Sequence, residues 1–223
     1  MRATAPSETM RSLLAILLAL LALGTLGCVP GATGLFLTPP TAPVNHSEVQ
    51  PVRVRKMGGN ISLSAAPAGA ELLTMGGNIS IEHAAGFVAA STMGGDIEID
   101  SLDAGAKLVS NGGDARIFLR PRAESAAPRD IDITVRGGNV RLIVAEPVSA
   151  KFDVELGYSR NEADRYAIKS DFPLTQTTSD WYRAPGHLFQ QHQRIRASGV
   201  VGQGVDRIRV RVEGGMLYLT RKD

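Results

Sequence analysis

The stretch Met57-Gly58-Gly59-Asn60-Ile61 returns as Met75-Gly76-Gly77-Asn78-Ile79, as Met93-Gly94-Gly95-Asp96-Ile97 and, weakened, as Asn111-Gly112-Gly113-Asp114-Ala115. Gly58, Gly76, Gly94 and Gly112 are each 18 residues apart. A short fixed period with the same turn residues each time marks a chain that stacks one small unit on itself. Aligned on that step, Val52, Ala70, Val88 and Ala106 share a column, as do Val54, Leu72, Ala90 and Leu108. After the glycines come Ile61, Ile79, Ile97 and Ala115, then Leu63, Ile81, Ile99 and Ile117. Apolar residues alternating with polar ones in short runs predict half-buried strands. Each unit therefore reads as strand, Gly-Gly turn, strand and a small-residue corner such as Ala65-Ala66-Pro67-Ala68-Gly69.

An equal repeat length with columns of like residues favours parallel stacking over a meander of hairpins, because hairpins demand no constant step. The expected fold is all-β: a single-domain, right-handed parallel β-solenoid with about 18 residues per coil in its N-terminal half and less regular coils beyond. A hexapeptide helix fails, since steps of six from Ile61 land on Pro67 and Leu73. The turns are expected to use glycine for φ > 0, with Asn or Asp bonding nearby amides. Ser62, Ser80, Glu98 and Arg116 should stack outward, placing Glu98 beside Arg116.

The period loosens after Asn111. Gly137-Gly138 follows Gly112-Gly113 by 25 residues, so extra chain is expected to loop out within Pro121 to Arg129. Val148, Ala150, Phe152, Val154 and Leu156 alternate with polar residues and predict a strand. Another is expected at Val205 to Val212, turning through Gly214-Gly215 into Met216 to Thr220. Gly157 to Val201 reads as irregular and holds Tyr158, Tyr166, Phe172, Trp181, Tyr182 and Phe189.

The N-terminal residues read as an address. Arg2 and Arg11 precede an apolar run from Leu13 to Leu23, then Gly24-Thr25-Leu26-Gly27-Cys28, the layout of a secretory signal peptide. Leu13 to Leu26 falls short of the ~20 apolar residues that span a bilayer. Gly27 before Cys28, the single cysteine, resembles a bacterial lipobox. That resemblance implies cleavage before Cys28 and a lipid anchor there. The expected organisation is a signal peptide over 1–27, a Gly/Pro/Thr-rich tether over 28–50 and a solenoid domain over 51–223, regular over 51–147 and irregular with a cap over 148–223. Loss of residues 1–27 takes Arg2, Arg11 and Glu8 from a chain of net charge +2 and leaves +1, which gives no electrostatic case for nucleic acid. Val29 directly after the cysteine favours an outer-membrane or cell-surface destination by the same lipoprotein resemblance.

The GG[ND]I-x-[IL] repeats, Phe152 to Tyr158, Ser170-Asp171-Phe172-Pro173-Leu174 and the closing run Ile208 to Lys222 together resemble an adhesin-like bacterial family of unknown function built from β-strand repeats. The resemblance covers about residues 51–223. It implies a β-solenoid at the cell envelope, with adhesion proposed for the family from fold analogy, and it supplies no catalytic residues.

The residues by themselves point the same way. The calcium β-roll repeat needs a second glycine and a ligand aspartate that GGNISL, GGNISI and GGDIEI lack, and Asp96, Asp100, Asp103 and Asp114 fall at outward positions of one or two coils. Asp130, Asp132 and Asp153 sit among alternating apolar residues, and His187 and His192 lie five apart with no nearby nucleophile. No enzyme, metal or cofactor is therefore expected. Trp181, Tyr182 and Phe189 are the candidate ligand contacts, because aromatics bury large area at low entropic cost; plugging the solenoid end is their other role. The expected partners are the membrane, through the lipidated N-terminus, and an envelope polysaccharide or surface protein. Unpaired strand edges leave self-assembly as the alternative, with a polysaccharide-active β-helix enzyme the less favoured one.

Overall fold

A computed structural model describes residues 50–162, 165–183 and 191–222. The leader, Cys28, His187, Phe189 and all of the tether except Gln50 lie outside these residues. The N-terminal half is a series of strand pairs: β1 (Val52–Lys56) and β2 (Ile61–Ala66), β3 (Ala70–Thr74) and β4 (Ile79–Ala84), β5 (Val88–Thr92) and β6 (Ile97–Leu102), β7 (Ala106–Ser110) and β8 (Ala115–Leu119). β9 (Asp130–Arg136) and β10 (Val140–Ala145) continue the series. The first strand of every pair joins one sheet and the second joins another, because each Gly-Gly turn swings the chain across. Among these pairs, neighbours within each sheet are parallel: Val52 pairs with Ala70, Ala70 with Val88, and Val88 with Ala106. The second sheet follows suit, with Ile61 on Ile79 and Ile79 on Ile97. The fold is all-β, built of stacked parallel strand pairs and consistent with a β-solenoid.

The alternation read from sequence is the alternation of burial. Leu72, Ile79, Ile81, Ile97, Ile99, Leu108 and Ile117 face inward between the sheets and are buried, whereas Ser62 and Arg116 are exposed. Burial of each large aliphatic side chain contributes about 1.5–3 kcal/mol. Glu98 pairs with Arg116 on the next strand, and their side chains meet at 3.0 Å, as the column alignment requires.

The role of the glycines differs from the expectation. Gly77, Gly95 and Gly113 do not have positive φ. A Cβ built on Gly77 would lie 2.0 Å from the Gly59 carbonyl oxygen, one on Gly95 2.2 Å from Gly77 O, and one on Gly113 2.3 Å from Gly95 O. Stacking at about 4.8 Å brings the turns too close for any side chain at the second glycine. Positive φ is used at the first described turn, at Gly59, and where the period loosens, at Gly137 and Gly214.

Two ladders tie the turns together. The Asn60 side-chain oxygen accepts from the Asn78 amide at 2.9 Å, Asn78 from the Asp96 amide at 2.9 Å, Asp96 from Asp114 at 2.8 Å, Asp114 from Asn139 at 2.7 Å, and Asn139 from Met216 at 2.9 Å. This is why Asn or Asp follows each glycine pair: the bond runs to the next repeat, not within the turn. Inside, the buried hydroxyls of Thr74, Thr92 and Ser110 donate to the carbonyls of Gly59, Gly77 and Gly95 at 2.9–3.0 Å.

The C-terminal half departs from simple succession. After β10 come β11 (Ala150–Ser159), β12 (Ile168–Ser170), β13 (Thr175–Thr178), β14 (Tyr182–Arg183), β15 (Gln191–Val201), β16 (Asp206–Glu213) and β17 (Leu217–Lys222). One sheet runs β1-β3-β5-β7-β9-β16-β11-β15-β13, with β14 on β15, and the other runs β12-β17-β10-β8-β6-β4-β2. The chain thus skips a position, builds β11 and β12 one layer further out, and returns to lay β16 and β17 in the gap. β15 is antiparallel to β11 and to β13, so within the segment read as irregular from Gly157 to Val201, β13, β14 and β15 form an antiparallel end to the first sheet, while β12 adds a parallel strand to the second. The loop between β8 and β9 absorbs the insertion where expected, but it is not wholly solvated: Arg129 is buried against Asp206.

Candidate binding surfaces

The antiparallel end carries Trp181 and Tyr182 and separates them. Trp181 is half-buried and packs edge-on to the buried Tyr158, ring centroids 5.9 Å apart, with the Arg160 guanidinium 5.9 Å from the indole. Tyr158 donates its hydroxyl to Gln193 Oε1 at 2.8 Å. Trp181 therefore packs against the core. Tyr182, the next residue and the first of β14, packs instead on the side of β15 that carries His192 and Arg194. It pairs with His192 and lies under the Arg194 guanidinium, 5.5 Å from the ring centroid. Phe189 lies outside the described residues.

Tyr182 borders a cleft of about 320 Å³ lined also by Thr177, Thr178, Ser179, Arg194 and Arg196. β13 and β15 set these side chains side by side: Thr177 is directly opposite Arg196. Both guanidiniums reach Glu155 on β11, at 3.0 and 3.5 Å, which fixes their direction. An aromatic ring, two oriented guanidiniums and three hydroxyls on a sheet surface can bind a polar, acid-bearing chain by stacking, ion pairing and hydrogen bonding.

A second groove, of about 390 Å³, lies on the outer face of the other sheet beside the turns, lined by Asp96, Glu98, Asp114, Arg116, Arg141 and Tyr218 among others. Its row is a continuation of the Ser62, Ser80, Glu98, Arg116 column: Arg116 pairs with Arg141, Arg141 with Tyr218, and Tyr218 with Lys169. The Tyr218 ring lies between Arg141 and Lys169, at 5.4 and 5.5 Å. Sequence reasoning missed this row beyond Arg116. The turn at Gly137-Gly138 indexes Arg141, and the closing turn indexes Tyr218, but no turn motif indexes Lys169.

The carboxylates weighed for catalysis are distributed differently. Asp130 and Asp132 meet Arg209 at 3.2 and 3.5 Å, while Asp153 is exposed on β11. Among the described residues no three His, Cys, Asp or Glu side chains gather in a metal-sized cluster. His83 lies 3.5 Å from Asp103, which also meets Arg120 at 3.4 Å. At the open edge, the Arg55 guanidinium bonds Glu71 at 2.8 Å and, with Arg53 at 3.4 Å, holds that carboxyl below the usual carboxylate range.

Comparison of the chain with models of known protein families, with curated proteins and with solved structures found no match.

Proposed function

We propose that this protein is a non-catalytic, exported lipoprotein whose strand stack works as an adhesin-like binding module at the cell envelope. In this reading, residues 1–27 are removed and Cys28 carries the lipid that holds the chain at the outer membrane or cell surface. The stack is a right-handed solenoid with about 18 residues per coil in its regular half. The resemblance to adhesin-like repeat proteins supports the reading, and one observation carries it. Tyr182 stands outward on a rigid sheet under Arg194, at the lip of a polar cleft shared with Arg196 and Thr177. That cleft suits an acidic envelope polysaccharide, or an acidic segment of a surface protein.

The test is binding of the full chain to envelope glycans and whole-cell surface fractions. Tyr182→Ala should abolish saturable binding while leaving the far-ultraviolet spectrum unchanged. Equal binding by both proteins would remove the cleft as the working site. Turnover of any polymer by the purified protein would overturn the non-catalytic reading.

A second reading, self-assembly, is favoured by the charge layout of the other sheet. Its outer face bears Glu82, Glu98 and Asp100 toward the N-terminal strands, and Arg141, Lys169 and Lys222 toward the C-terminal ones, with Phe118 and Ile143 between them. An antiparallel second copy would oppose the unlike charges. A monomer by light scattering at high concentration and low salt would exclude it.

A further inference from the structure

The residue before each glycine pair forms a column that the fold leaves free to vary. Lys56 pairs with Thr74, and Thr74 with Thr92, so the residues that follow, Met57, Met75 and Met93, stand over one another on adjacent strands. The same column continues through Asn111 and Arg136 to Glu213. There it is a polar chain: Arg136 donates to Asn111 Oδ1 at 2.8 Å and meets Glu213 at 3.4 Å. The position thus accepts amide, guanidinium and carboxylate groups, and nothing in the turn asks for an apolar side chain. Yet Met57, Met75 and Met93 are 84%, 44% and 53% exposed. The remaining methionine among the described residues, Met216, is half-buried, and its sulfur accepts from the Tyr218 hydroxyl at 3.2 Å.

We propose that Met57, Met75 and Met93 form a surface site for a soft monovalent metal ion, Cu(I) or its analogue Ag(I). Thioethers are neutral, polarisable donors, and soft ligands of this kind select Cu(I) over hard or strongly hydrated cations. The spacing fits. Taking the zinc–thiolate bond of about 2.3 Å as a guide, two sulfurs on opposite sides of an ion lie about 4.6 Å apart. Neighbouring positions in the stack repeat at about 4.8 Å. Met75 and either neighbour can bracket an ion with little movement, and the third unbranched side chain can lean in to complete a trigonal set.

The test is a titration of the full-length Cys28→Ser chain with Ag(I), read from methionine methyl resonances assigned by single Met→Leu variants. The serine removes the competing thiol. Saturable shifts at Met57, Met75 and Met93 together, with Met216 unmoved and no response to Zn(II), are the expected result. The triple variant Met57→Leu/Met75→Leu/Met93→Leu should keep its strand spectrum and lose the site. Unmoved methyl signals in the parent chain, or equal ion binding by the triple variant, would overturn the proposal.

Discussion

Arg129 and Asp206, 77 residues apart in sequence, form a buried pair: Arg129 Nη2 and Nε donate to Asp206 Oδ2 at 2.6 and 2.9 Å, and the Arg129 amide donates to Oδ1 at 3.0 Å. Arg129 Nη1 also donates to the Arg120 carbonyl at 2.7 Å, so one guanidinium binds both ends of the loop between β8 and β9 to the start of β16. Removing one partner leaves the other charge buried and uncompensated. Arg129→Met is expected to cost about 3–5 kcal/mol in urea unfolding, whereas Arg122→Met, 3.7 Å from the same carboxylate, should cost about 1 kcal/mol or less. Similar losses from both variants would show that the pair does not clamp the loop.

The register makes a prediction at two adjacent residues. Ile79 is fully buried between the sheets and Ser80 is on the outer face. Ile79→Ala should lower stability by about 2–5 kcal/mol, and Ser80→Ala by no more than about 0.5 kcal/mol. Equal effects in chemical denaturation would contradict the assigned faces.

A glycine pair offers a test of close stacking. Gly76 has nothing near the place of a Cβ, while a Cβ on Gly77 would meet Gly59 O at 2.0 Å. Gly77→Ala should therefore cost at least about 1–3 kcal/mol, as overpacking does. Gly76→Ala should be close to neutral in thermal unfolding. Comparable losses at both sites would mean that backbone angle, not approach, selects glycine here.

The inner hydroxyls can be tested at Thr92. Its Oγ1 donates to Gly77 O at 2.9 Å and accepts from the Gly95 amide at 3.1 Å, with the residue fully buried. Thr92→Val keeps the shape and strands both backbone groups, for an expected loss of about 1–3 kcal/mol. A neutral substitution would show that the backbone finds other partners.

Much of the fold is legible in the repeat because its determinants are local. Ile61, Ile79 and Ile97 recur at a fixed step, and a recurring step with alternation leaves few arrangements other than parallel stacking. The glycines were legible as turn residues but not for the right reason, since the clash involves backbone of the preceding repeat and not the turn's own angles. Gln191–Val201 escaped recognition as a strand because its inward positions include Gln193 and Gly199, which break the apolar alternation that Ile195 and Ala197 offer. The alternation of Ile208, Val210 and Val212 marks a strand, yet nothing in it says that β9 and β11 are its neighbours. At the candidate site, Tyr182 could be singled out from its chemistry. Its separation from Trp181 follows from a strand that sequence alone did not reveal.

The placement of β16 and β17 between layers made earlier in the chain has a consequence for biosynthesis. β16 and β17 fill the interior of the stack but are made after both of their neighbours there, so until they emerge β9 and β10 face an empty slot. Long-range pairing of this kind is slow and exposes apolar strand edges until it is complete. A chain cut short before β16 would therefore lack a middle layer instead of an end.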